Sequence, residues 1–177
     1  LEAVKYSVKK IDDFKDKNIL ITGGGDSALD WVINLAPIAK KITLVHRRED
    51  FRAAPDTVSK MYKLKDKGVI DFFIGQVKEL RGENRLSKIL VSSIDQKNQY
   101  LVEADVLLPF FGLTMKLGPI ANFGINFDNN LIAVDTECFE TSEKSIFAIG
   151  DINSYPGKLK LILSGFHEVA LASVECF

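Results

Sequence analysis

The chain has 177 residues, 46% of them hydrophobic and 27% charged, with a formal net charge of −1; that is enough for one comfortable core, or for one domain and part of another. The near-neutral balance argues against a nucleic-acid binder, because proteins that track phosphate backbones concentrate positive charge. Basic residues therefore matter here only where they cluster.

No apolar run approaches the roughly 18–20 residues that span a bilayer, and no signal peptide is present, so the expected setting is cytoplasmic, away from membranes. Cys138 and Cys176 share no CxxC or metal-ligand spacing and read as two reduced thiols. No metal site is expected. Because the chain opens at Leu1 rather than Met, it is expected to be an excised segment.

In chain order, Asn18–Thr22 (NILIT) is a short apolar β-rich run that stops at Gly23, Gly24 and Gly25. Asp26 to about Ala39 follows as a helix, with Ala28, Leu29, Val32, Leu35 and Ala36 at helical spacing. Lys41–His46 (KITLVH) is a second strand, and strand, glycine turn, helix and strand together make a βαβ unit. Thr57–Lys67 is a second helix ended by Gly68, and Val69–Ile74 a third parallel strand. Gln76–Leu80, Leu86–Ser93 and Tyr100–Val102 suggest an antiparallel meander with a turn at Arg81–Arg85. Val106–Phe111 (VLLPFF) is a further buried strand, with Pro109 a mark against a central position.

After Gly112 the texture changes. Leu113–Asn130 is loop-like, Leu131–Val134 and Ile146–Ile149 are short strands, and Leu159–Val174 is a final helix. The expected organisation is a Rossmann-like, three-layer α/β dinucleotide-binding domain over residues 1–117, with parallel sheet and antiparallel meander. A partial segment at 118–177 holds too few elements to close a core of its own.

Gly23-Gly24-Gly25-Asp26-Ser27-Ala28 fits G-x-G-x-x-A directly after a strand and at the opening of a helix. Gly23 permits the tight turn, Gly25 lets a pyrophosphate approach the backbone, and Ala28 lets the helix pack closely on the strand. The free N–H groups and positive dipole end of the helix then receive the phosphates. Glycines also make plain strand–helix turns, and Asp26 and Ser27 can serve simply as caps.

The second strand selects the coenzyme. An NAD site needs an acid about twenty residues past the glycines, to bond the ribose hydroxyls. This chain instead gives His46-Arg47-Arg48 and then Arg52, with Glu49 and Asp50 too late in the turn. Guanidinium groups there suit the 2′-phosphate of NADP(H), each charge-assisted bond contributing about 1.5–3 kcal/mol. The competing interpretation is a solvated basic run partly neutralised by Glu49 and Asp50.

HRREDFRA (His46–Ala53) resembles the NADPH-binding H-R-R-x-x-F-R-A signature of thioredoxin-reductase-like flavoproteins, and GGGDSA fits their nucleotide turn. Ile146-Phe147-Ala148-Ile149-Gly150-Asp151 is similar to the family's second flavin motif. Tyr155-Pro156-Gly157-Lys158-Leu159-Lys160 and the following helix resemble the ferredoxin/flavodoxin–NADP⁺ reductase branch.

The resemblance implies NADPH held by Gly23, Gly24, Gly25, Asp26, Ser27 and Ala28, with His46, Arg47, Arg48 and Arg52 on the 2′-phosphate. Asp151 would hold the ribityl chain of FAD. No side chain would be catalytic in the bond-breaking sense, because the flavin carries the chemistry; His167 reads as an ordinary surface or core histidine. The partner would be ferredoxin or flavodoxin, and a homodimer is a family expectation.

Two departures matter. Where thioredoxin reductases carry a redox-active CxxC, this chain has Tyr6-Ser7-Val8-Lys9, which disfavours disulfide reduction because a dithiol relay needs two neighbouring sulfurs. The family also has an N-terminal G-x-G-x-x-G for FAD, whereas only one glycine turn occurs here. The expectation is an NADP(H) domain followed by the C-terminal portion of an FAD-binding domain. That segment alone would bind NADPH, retain little FAD and lack activity. The alternatives are a non-catalytic NADP(H)-binding module and a thioredoxin-reductase-like disulfide reductase.

Overall fold

The computed structural model describes residues 2–112 and 116–176. The chain divides into two compact units, Leu1–Gly112 and Leu113–Phe177.

The first unit contains β1 (Asn18–Thr22), α1 (Asp26–Leu35), β2 (Lys41–His46), α2 (Pro55–Asp66), β3 (Ile70–Arg81), β4 (Lys88–Ser93), β5 (Gln99–Glu103) and β6 (Val106–Pro109). They form one six-stranded sheet in the order β5-β4-β3-β2-β1-β6. β1 pairs in parallel with β2 and β6, and β2 with β3, while β3, β4 and β5 run antiparallel.

Successive strand residues point to opposite faces, and the two faces have different coverings. Ile19, Ile21, Ile42, Leu44, Val106 and Leu108 pack with Ala28, Leu29, Val32 and Leu35 of α1 and Met61 of α2. Leu20, Val45 and Leu107 turn the other way, onto Ile89, Val91 and Leu86 of the meander. Helices, parallel sheet and meander are the three layers.

Local chemistry sets the element ends. α1 stops at Leu35 rather than near Ala39: Ala36 is still in helical geometry, but Pro37 has no N–H with which to continue the helical bonding. α2 begins on Pro55, whose missing N–H costs nothing in a first turn. Gly68, at φ +71, ends it by donating to the Lys65 carbonyl oxygen.

The two runs expected at Val69–Ile74 and Gln76–Leu80 are one continuous strand. Its first half pairs with β2, and from Gly75 onward it pairs with β4. Gly75 marks the change of partner, since a Cβ there would strike the Ser92 carbonyl oxygen. The glycine that looked like a break is therefore a close backbone approach. Pro109 lies on β6, an edge strand flanked on its outer side only by an isolated bridge from Val4.

The second unit holds a small sheet of β7 (Phe127–Asp128), β8 (Leu131–Ala133) and β9 (Asn153–Ser154), ordered β7-β8-β9, and the helix α3 (Ile162–Glu175). Among the described residues its buried apolar cluster is Ile125, Ile132 and Ala148, with Ile120, Val134 and Ile152 packed against it. The strand expected at Ile146–Ile149 is a correction: only an isolated bridge joins Phe147 to Glu140. Ser145 at φ +64 and the left-handed Gly150 at φ +76 bracket the run. Of the loop expected from Leu113 to Asn130, residues 113–115 lie outside the described residues; the remainder contains a 3₁₀ turn at Gly118–Asn122 and β7. No helix among the described residues is long and apolar enough to cross a membrane.

Candidate functional site

The glycine turn joins the end of β1 to the start of α1, and its three glycines have different reasons to lack a side chain. Gly23 adopts φ +147, and a Cβ on it would strike the Phe110 carbonyl oxygen and press on Ala28. A Cβ on Gly24 would overlap the His46 ring. Gly25 differs: its φ of −101 suits any residue, and the nearest atom to a Cβ there is the Arg52 carbonyl oxygen, at 3.7 Å. Packing explains Gly23 and Gly24 but leaves room over Gly25.

That room faces unpaired donors. Gly25 is the N-cap of α1 and its carbonyl oxygen accepts from the N–H groups of Ala28 and Leu29. Among the described residues the N–H groups of Gly25 and Ser27 have no acceptor, whereas the parallel bridge between Gly25 and Arg52 turns the Asp26 N–H toward the Arg52 carbonyl oxygen. They sit where the helix dipole is positive, and Ala28 is fully buried beneath them. An anionic group fits this cradle.

The loop after β2 is tied to the turn. The Arg52 N–H donates to the Gly24 carbonyl oxygen at 2.7 Å, and Ala54 N–H donates to Asp26 Oδ1 at 2.9 Å. Asp26 thus fastens the loop and does not cap its own helix. His46 at the end of β2 lies half-buried against Gly24, its ring stacked on Phe51 at 5.3 Å between centroids. Its Nε2 meets the Asp50 carbonyl oxygen at 3.2 Å. Burial, reinforced by Arg47 and Arg48, holds the imidazole pKa below its ordinary value although the Asp50 contact favours the charged form. His46 accordingly packs the turn against Phe51.

Arg47, Arg48 and Arg52 are exposed. Among the described residues none of them pairs with a carboxylate, Glu49 and Asp50 included. Three guanidinium groups on a loop pinned to the glycine turn can hold an anionic group.

In the second unit, Gly150 and Asp151 form a short 3₁₀ turn over Gly150–Ile152. The Asp151 carboxylate is exposed, with no hydrogen-bond partner among the described residues, and it can accept bonds from a hydroxyl-bearing ligand. Behind it lies a group of residues the motifs did not single out as a site. Glu168 of α3 is fully buried and accepts from Gly150 N–H at 2.6 Å, Asn153 Nδ2 at 3.0 Å and Tyr155 Oη at 2.9 Å. Lys158 pairs with it directly. Burial pushes the Glu168 pKa up, but Lys158, Gly150 and Tyr155 together bring it below the ordinary carboxylate value. The available signal was the small-residue face Gly165 and Ala172, which carries this acid between them.

A family model described as pyridine nucleotide-disulphide oxidoreductase matches residues 2–170. The chain belongs to the pyridine nucleotide-disulphide oxidoreductase family. Within reach of that family are a ferredoxin–NADP reductase of Parvibaculum lavamentivorans, 58% identical over 177 residues, covering 99% of this chain and 51% of that protein, and one of Beijerinckia indica subsp. indica, 60% identical over 173 residues, covering 97% and 50%. The chain spans about half the length of these curated relatives.

Among solved structures, Lactococcus lactis thioredoxin reductase superposes with a TM-score of 0.82 at 22% identity, over 98% of this chain and 56% of that one. The bacillithiol disulfide reductase of Staphylococcus aureus gives 0.81 at 17% identity, over 99% and 55%. These likenesses show the fold of the oxidoreductase family. The two cysteines of this member, Cys138 and Cys176, are both free.

Proposed function

We propose that this chain is the NADP(H)-binding part, with the C-terminal portion of the FAD-binding domain, of a flavin-dependent ferredoxin/flavodoxin–NADP⁺ reductase. Residues 1–117 hold the nicotinamide coenzyme and residues 118–177 contribute to the flavin site. The observation that carries the reading is the room left at Gly25, where an added Cβ would make only an ordinary contact, at a helix start with unpaired donors and joined to a loop of three unneutralised arginines. The names of the relatives support ferredoxin as partner; flavodoxin as an alternative acceptor, a homodimer and a cytoplasmic location belong to the same reading.

In this assignment the N–H groups of Gly25 and Ser27, at the helix start formed by Asp26, bind the coenzyme pyrophosphate, and Gly23, Gly24 and Ala28 shape the turn beneath it. Arg47, Arg48 and Arg52 bind the 2′-phosphate, while His46 and Asp26 hold the arginine loop in register with the glycines. Asp151 accepts hydrogen bonds from the sugar-like chain of the flavin. Bound flavin supplies hydride acceptance from NADPH and one-electron release to ferredoxin. The side chains bind and orient; none exchanges a proton with substrate.

The test uses the full-length flavoprotein that contains this segment. Under anaerobic conditions NADPH is expected to bleach the flavin band far faster than NADH, and added ferredoxin to support electron transfer to cytochrome c. Equal rates with both coenzymes, or no dependence on ferredoxin, would reject the assignment. A disulfide reductase reading is opposed by the absence of a cysteine pair at Tyr6–Lys9.

A further inference from the structure

α3 is amphipathic in an inverted sense. It leaves Ile162 83%, Leu163 77% and Phe166 68% exposed, yet buries Glu168 completely. A carboxylate buried at the inner face of a helix is a poor device for stability, because a buried ion pair is often no better than packed hydrocarbon. What it does impose is geometry.

The geometry converges on one residue. Glu168 Oε2 accepts from the Gly150 N–H at 2.6 Å, and Lys158 Nζ donates to the Gly150 carbonyl oxygen at 2.8 Å. Both peptide groups flanking the Gly150 Cα are therefore held by the two members of one ion pair. Between them Gly150 is kept at φ +76, and its carbonyl peptide leads directly into Asp151. Tyr155 and Asn153 fill the remaining acceptor positions of Glu168. Asn153 is also anchored to the Ala148 carbonyl oxygen at 2.9 Å, which fixes the approach to the turn. The helix lies against the turn at Gly165, where an added Cβ would make an ordinary contact with the Gly150 Cα at 3.7 Å.

Resting on the reading that Asp151 holds the flavin, we propose that Lys158 and Glu168 are positioning residues for FAD, clamping both peptide groups of Gly150 so that the Asp151 carboxylate is aimed before the cofactor arrives. Neither side chain touches the cofactor; each acts through Gly150.

The test is made on the full-length flavoprotein, with flavin occupancy, visible spectrum and NADPH dissociation constant as readouts. Glu168→Gln and Lys158→Met are each expected to weaken FAD at least tenfold and to shift its absorption band, with NADPH affinity unchanged. Lys158→Arg, which keeps the charge and can still reach the Gly150 carbonyl, restores occupancy. Asp151→Ala is the reference. If Asp151→Ala loses flavin while Glu168→Gln and Lys158→Met keep it with an unaltered spectrum, the positioning role is overturned. If Asp151→Ala itself keeps flavin, the underlying reading fails instead. Should Glu168→Gln not fold, the comparison of Lys158→Met with Lys158→Arg decides: equal flavin retention by both overturns the proposal, and loss only with methionine supports it.

Discussion

Replacing Gly25 by alanine should separate coenzyme binding from folding. At φ −101 the backbone accepts a side chain without strain, and the nearest atom to the new methyl is 3.7 Å away. Restricting the unfolded chain favours alanine by about 0.4–1 kcal/mol, and losing glycine at an N-cap costs a similar amount, roughly 0.5–1 kcal/mol. The net stability change is thus expected within about 1 kcal/mol of zero. The methyl nevertheless occupies the approach to the free N–H groups, and at least a tenfold loss of NADPH affinity, about 1.4 kcal/mol, should follow.

Gly23→Ala makes the contrast. At φ +147, with the Phe110 carbonyl oxygen in the way, backbone strain and overpacking of about 1–3 kcal/mol each put the cost at roughly 2–6 kcal/mol, a large part of a typical domain's stability. Denaturant unfolding and NADPH titration on both variants give the answer. A Gly25→Ala protein that binds NADPH as the parent does would refute the reasoning, since the open space would then not be the coenzyme's.

Three further outcomes are expected. Arg47→Ala with Arg48→Ala should weaken NADPH at least tenfold and spare NADH, because charge-assisted bonds of about 1.5–3 kcal/mol are lost only by the coenzyme with the extra phosphate; equal losses would mean the arginines do not bind it. His46 has a folded pKa below its ordinary 6.5, so the unfolded state takes up the proton first. His46's contribution to stability is complete above about pH 6.5 and declines as pH falls from there toward the folded pKa. Denaturation midpoints measured across that window should fall with pH in the parent and more weakly in His46→Gln. Finally, thiol titration should find Cys138 and Cys176 reactive to the same extent before and after NADPH, whereas consumption of thiols would revive disulfide chemistry.

The βαβ unit was legible because its signals are local. The continuous apolar runs of β1 and β2, the helical spacing of Ala28, Leu29, Val32 and Leu35, and glycines between them depend only on neighbours in sequence. The arginine run was legible for the same reason, since a strand end fixes where the next few side chains lie. Where the signals were shared with other structures, the sequence was read less well. Gly75 looked like a boundary and is a passage between partners. Ile146–Ile149 has strand composition but finds only an isolated bridge, because β pairing needs a second strand in register, which composition does not supply.

By itself the sequence determined the strand–glycine–helix–strand order, the helix stop at Gly68, and the placing of positive charge after β2. Only the tertiary structure decided which glycine is free of packing, because that depends on Phe110, His46 and Arg52 arriving from elsewhere in the chain. It also decided that Asp26 fastens the arginine loop and that Glu168 turns inward onto Gly150. Covalent neighbours fix local conformation, whereas the partner of a carboxylate is settled by which distant donors folding brings within about 3 Å of it.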